Sequence, residues 1–149
     1  MKNKITIIGF LIVLIILLNV LLGFSNEVLK SPDGQLTFEL LELDKYEAGE
    51  AFNTFTEGKF FFYRMLIGNE IIVNNSPIGL TLNYTDFFNE LSLESSGKIV
   101  YSNENYRVLH GKSKEILSEY NQRDFNFTNA DGNKLVLRVR LYNEGLAFR

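Results

Sequence analysis

Short runs rich in β-branched and aromatic residues, each closed by a turn former, recur through residues 26–149, and no stretch among them keeps a helical period. The runs are Gln35 to Leu43, Phe60 to Ile67, Glu70 to Val73, Gly79 to Asn83, Lys98 to Ser102, Asp124 to Thr128 and Lys134 to Tyr142. Between them stand Ser31-Pro32-Asp33-Gly34, Gly68-Asn69, Asn74-Asn75-Ser76-Pro77, Ser95-Ser96-Gly97 and Ala130-Asp131-Gly132-Asn133. Proline presets φ for a turn and glycine takes the positive φ that follows, so these are reversals of the chain. Many short strands joined by turns predict an all-β fold, a β-sandwich.

The clearest strand is Lys134 to Tyr142. Leu135, Leu137, Val139 and Leu141 fall on one face, while Val136, Arg138, Arg140 and Tyr142 fall on the other. This alternation predicts a buried apolar face and exposed arginines whose truncation is nearly silent. After a turn at Asn143-Glu144-Gly145, Leu146 to Arg149 begins another strand, and the reading is of a domain (residues 26–149) incomplete at its carboxy end.

Other runs alternate less cleanly. Leu40 and Leu41 are adjacent, which calls for a β-bulge or a strand buried on both faces. Phe60, Phe61, Phe62 and Tyr63 are consecutive and therefore point both ways. A strand covered on both sides accommodates them; exposed rings would instead stack on sugars or form a domain interface. Asp44 to Lys59 is acidic and contains Gly49 and Gly58, and reads as a long loop holding a helical turn. Thr85 to Glu94 fits a strand or a short helix equally well.

The amino terminus follows a different rule. Lys2 and Lys4 precede an almost unbroken apolar run from Ile5 to Leu22, followed by the small residues Gly23 and Ser25. That is the pattern of a secretory signal peptide over residues 1–25; the alternative is an uncleaved hydrophobic anchor helix, since the run approaches the ~18 residues that can span a bilayer. Both predict export to the periplasm or cell envelope. The absence of cysteine suits a bacterial envelope protein and removes disulfides and thiolate metal sites. A net charge of -3 with interspersed signs provides no basic face for nucleic acid.

The catalytic inventory is thin. His110 is the single histidine, which excludes any relay or zinc site needing two imidazoles, and beside Gly111 and Lys112 it reads as a loop residue. The acids Glu39, Glu42, Asp44, Glu47, Glu50, Glu90, Glu94, Glu115 and Glu119 read as a solvated surface. Glycosidase chemistry needs two carboxylates opposed across a cleft, which spacing along one strand does not supply. Asp131-Gly132-Asn133 lacks the remaining ligands of a calcium loop and reads as a hairpin tip. Asn74, Asn83 and Asn126 open sequons that an asparagine-rich chain produces by chance.

Three segments resemble the amino-terminal domain of glycoside hydrolase family 97, a family of α-glucosidases and α-galactosidases. They are Leu29 to Leu36; Tyr63 to Ile72 with Ser76-Pro77-Ile78-Gly79-Leu80; and Lys114-Glu115-Ile116 with Tyr120-Asn121 and then Leu137 to Arg149. The last is similar to the family's Arg-x-Tyr/Phe-Asn-Asp-Gly-x-x-Phe-Arg. The resemblance implies an amino-terminal β-super-sandwich, a (β/α)8 catalytic barrel as its partner, an α-linked oligosaccharide substrate and a calcium ion in the full-length enzyme. It places the carboxylates and the calcium ligands beyond Arg149, so no catalytic, cofactor-binding or metal-binding residue is assigned to this chain. The family's Trp-Gly-Glu segment is missing: the chain reads Val108-Leu109-His110-Gly111-Lys112 and contains no tryptophan.

Overall fold

A computed structural model describes residues 27–44, 59–107 and 115–149. The amino-terminal apolar run, residues 45–58 and His110 lie outside the described residues. Within them the fold is all-β, two antiparallel sheets packed face to face.

The first sheet has the order β1 (Glu27–Lys30), β2 (Leu36–Asp44), β3 (Lys59–Ile67), β4 (Glu70–Pro77). Gly68, at φ 58, opens the β3–β4 hairpin, and Asn69 has a negative φ. Positive φ at the first central residue alone is the type II′ pattern, whose twist matches that of the flanking strands. β2 and β3 pair without a break from Leu36↔Ile67 to Asp44↔Lys59. No bulge therefore explains Leu40 and Leu41; the strand is buried on both faces. Leu40 joins the main core, whereas Leu41 packs with Phe60, Phe62, Leu43 and Phe88 in a second cluster on the other face. The aromatic run divides in the same way, Phe61 and Tyr63 inward and Phe60 and Phe62 outward under Phe88. Because Phe60, Phe61 and Phe62 are all buried, none is a platform for sugar.

The second sheet is built on β9 (Glu115–Thr128). One side of it pairs with β10 (Lys134–Tyr142) and, through β10, with β11 (Leu146–Phe148). The other side pairs with β7 (Ser92–Ser96) and β8 (Val100–Arg107), which follow each other along the same edge. The alternation read in β10 holds: Val139 and Leu141 are fully buried and Leu135 and Leu137 pack on the core, while Val136 is exposed. A short hairpin, β5 (Thr81–Leu82) with β6 (Thr85–Asp86), links the sheets, and Phe87 and Leu91 from the segment after it enter the core.

Three expectations need correction. Asn74 to Pro77 is strand, not turn. β4 is the sheet's edge, its register against β3 slips between Tyr63 and Leu66, and an edge tolerates the N–H that proline lacks. Ser95 and Ser96 also belong to a strand, β7; only at Gly97 does the edge bend, where Gly97 N donates to Asp124 O at 2.7 Å. Thr85 to Glu94 is neither one strand nor a helix. It is the end of a hairpin, then bends with Glu90 at φ 52, then the start of β7.

Candidate functional site

The turns explain why the resembling segments occur together. Ser31 Oγ donates to Asp33 Oδ1 at 2.6 Å and accepts from Leu36 N at 2.9 Å, while Gly34, at φ 76, donates its N–H to Ser31 O. Ser31 is itself buried, so its hydroxyl satisfies backbone that would otherwise be orphaned. Asp33 N then donates to Asn143 Oδ1 at 3.1 Å, across 110 positions of sequence. The Ser-Pro-Asp-Gly turn and the Asn-Glu-Gly turn thus meet at one end of the sandwich. Phe148 completes the junction: its ring is 5.0 Å from Tyr63 and 6.2 Å from Phe38, edge-on to both. One residue from the last segment therefore packs on the second segment and on the strand that follows the first. Phe148 is nevertheless 44% exposed, so the junction is open on one side.

The remaining segment, Ser76 to Leu80, also has a packing role. Ile78 is buried and donates its N–H to Phe61 O at 2.8 Å. A Cβ added to Gly79 would lie 2.3 Å from Phe88 Cδ2 and 3.0 Å from Phe88 Cα. Glycine is required there because the Phe88 ring and backbone occupy the space.

The outward face of the second sheet carries a polar and aromatic ladder. Arg138 donates two bonds to Asp124, at 2.8 and 2.7 Å, and Arg140 donates to Gln122 at 2.9 Å. The Arg140 guanidinium also lies 4.7 Å from the centre of the Tyr120 ring, which packs against Tyr142 and donates its hydroxyl to Glu104 at 2.6 Å. The two arginines do face outward, but neither is free. A bidentate pair holds its side chains in one geometry, unlike a lone solvated charge, so truncating Arg138 is expected to cost more than the alternation alone suggests.

The acids read as candidates are dispersed and engaged. Glu39 pairs with Arg64, Glu42 with Lys59, Glu94 with Lys134, and Glu119 accepts from Asn103. Glu90 and Glu115 are exposed. Where neighbours move an aspartate's pKa, they move it down: the Ser31 hydroxyl and Gln35 amide do so at Asp33, Asn89 and the Phe88 amide at Asp86, and the Arg138 guanidinium at Asp124. A general acid at neutral pH requires the opposite shift. Asp131-Gly132-Asn133 is the hairpin tip expected: Gly132 takes φ 79, Gly132 N donates to Asn129 O, and Asn133 N donates to Asn129 Oδ1 at 2.8 Å. Among the described residues no three acids or histidines gather into a group that could hold a metal. The sequence did not reveal Asn143, Tyr120 or Gln122 as contact residues, because their partners are set by strand register and by packing between turns.

Comparison with known proteins agrees with this arrangement. The family model described as Glycosyl-hydrolase 97 N-terminal matches residues 29–149. No curated protein matches the chain. Among solved structures, a glycoside hydrolase family 97 enzyme from Pseudoalteromonas sp. strain K8 in complex with panose superposes with a TM-score of 0.64 at 18% identity. That match covers 82% of this chain and 17% of the enzyme. A beta-arabinopyranosidase gives a TM-score of 0.66 at 21% identity, covering 83% of this chain and 18% of its own. The same Pseudoalteromonas enzyme with acarbose gives 0.63 at 17% identity, again over 82% and 17%. The chain thus spans under a fifth of the length of these enzymes, and at such identities the superpositions establish the fold alone. The family model, which matches most of the chain, establishes more: the chain belongs to the glycosyl-hydrolase 97 N-terminal family.

Proposed function

We propose that the chain is the amino-terminal sandwich domain of a family 97-type α-glycosidase. In this reading it packs on a (β/α)8 catalytic barrel, helps wall the site for an α-linked oligosaccharide, and contributes no catalytic residue from residues 29–149. The observation that carries the reading is the family match over those residues, together with relatives of which the matched part is only 17–18%. Residues 29–149 would form part of a larger super-sandwich, with catalysis and calcium binding in the rest of the enzyme. The domain is exported, with residues 1–25 acting as a signal peptide, because Lys2, Lys4, the apolar run and Ser25 fit that pattern.

One measurement tests both the partner and the cleavage of the signal peptide. Intact-mass analysis of the native product captured from envelope fractions should find it beginning near Asn26 and far heavier than the 17.1 kDa of this chain. A product of 17.1 kDa that begins at Met1 and requires detergent for extraction would overturn the catalytic partner and the cleavage, leaving an anchored stand-alone sandwich.

A further inference from the structure

The most exposed aromatic ring of the fold stands on one of its most heavily braced loops. Tyr84 is 85% exposed, whereas no other exposed large apolar side chain among the described residues exceeds 62%. It lies beside Asn83 in the two-residue loop of the β5–β6 hairpin, between the paired Leu82 and Thr85. Neither loop residue takes a positive φ, so the turn is not one of the primed types whose twist suits a hairpin. Paired strands of two residues each do not hold such a loop by themselves.

The bracing comes from the turn between β9 and β10. Asn129, buried there, donates its side-chain amide to Thr85 Oγ1 and to Asp86 O, both at 2.9 Å. Asn133 donates to the same Thr85 hydroxyl at 3.1 Å. From within the hairpin segment, the Asp86 carboxylate accepts from the Thr81 hydroxyl, the Phe88 amide and the Asn89 side chain, and Phe87 N donates to Leu80 O at 2.8 Å. Leu82 and Phe87 root the hairpin in the core. The backbone under the tip is thus fixed from both sides, while the ring it carries faces solvent.

The chemistry of the tip selects its ligand. Leu80 to Thr85 contains no charge. The tip offers a flat apolar ring with a polar end and, next to it, a carboxamide that both donates and accepts. A pyranose is the complement of this pair, with an apolar C–H face for the ring and a rim of hydroxyls for the amide. An ion would require charge, and a stable protein contact would require far more area than one ring supplies.

We propose that Asn83 and Tyr84 form a sugar-contact site, with the Tyr84 ring stacked on one pyranose of an α-linked oligosaccharide and the Asn83 carboxamide bonded to its hydroxyls. The loop is ordered before the sugar arrives, so binding loses little conformational entropy. This rests on the functional reading above for the linkage of the sugar, and it names the part of the domain that meets it.

The test is an NMR titration of the full chain with maltotriose. The ring protons of Tyr84 and the side-chain amide of Asn83 should shift saturably at millimolar sugar. Tyr84→Ala should weaken binding by about fivefold or more, and Tyr84→Phe, which keeps the ring, should bind within about twofold of the parent. The exposed position predicts that neither variant changes the thermal midpoint. Shifts absent at both residues, or equal affinity in Tyr84→Ala, would overturn the site. Protection of Tyr84 from nitration in the native product without sugar would overturn it as well, since the ring would then be held by protein. None of these results alters the mass of the native product, so the site and the functional reading can fail separately.

Discussion

Phe38→Ala is expected to destabilise the domain by about 3–5 kcal/mol, a large fraction of what holds a domain of this size together. Phe38 has no accessible surface and is the central ring between the sheets, with Tyr63 and Phe125 each 6.0 Å away and Phe148 at 6.2 Å. Truncation removes its buried apolar area and leaves a cavity whose walls belong to both sheets, and closing it would require whole paired strands to shift inward. Thermal or urea melts of Phe38→Ala against the parent chain measure the cost. A loss below roughly 1 kcal/mol, within the range of surface substitutions, would mean that the two inner faces do not form one core.

The second large effect is a gain of a single methyl. Gly79→Ala places a Cβ 2.3 Å from Phe88 Cδ2 and 3.0 Å from the Phe88 backbone, closer than side-chain carbons approach. Overpacking of this kind costs about 1–3 kcal/mol, and here the backbone contact prevents a rotamer change from relieving it fully. Phe88 rests on Phe60 in the outer cluster, at 5.5 Å between rings, so displacing it also uncovers that side of β3. Melts should show Gly79→Ala well below the parent, and the penalty should shrink in a Phe88→Leu background, because the clash and the ring are coupled. Equal penalties in both backgrounds would place the strain elsewhere.

Much of this architecture could be read from the residues, and the exceptions have physical causes. β10 was predicted to the residue because one face is buried and the other wet, which makes alternation strict. The double burial of Phe60 to Tyr63 was one of two readings of an aromatic run, and a loop that brings Phe88 over Phe60 settles it. β9 was predicted only from Asp124 to Thr128, yet it begins at Glu115. Its first half forms a ribbon with β8 in which Leu117, Val100 and Tyr101 are exposed, so there is no apolar alternation to detect. β7 and the end of β4 were hidden by Ser95-Ser96 and Asn74 to Pro77, turn-forming residues that an edge strand tolerates. Contacts such as Asp124 with Arg138 depend on a hairpin register set by the Asn129 to Asn133 turn, which composition does not reveal. No site residue was assigned from the sequence. Of the acids read as a solvated surface, Glu39, Glu94 and Glu119 are held by Arg64, Lys134 and Asn103, while His110 lies outside the described residues.

The resembling segments illustrate the same division. Each is short and of low specificity alone, and their order along the chain made the family legible. Their reason for occurring together is spatial: Asp33 meets Asn143, Phe148 meets Tyr63, and Gly79 makes room for Phe88. These are folding contacts, which is why they mark a domain and not a reaction.

If the domain supports an α-glycosidase as proposed, without itself performing the chemistry, an assay of the pure, monomeric chain on an aryl α-glucoside is the most direct test. With calcium or with chelator, no release of aryl alcohol above the buffer rate is expected, because glycoside hydrolysis needs opposed carboxylates and the resemblance places those beyond Arg149. Calcium-dependent turnover that co-purifies with the monomer and is lost on His110→Ala would contradict it and place a catalytic centre within these 149 residues.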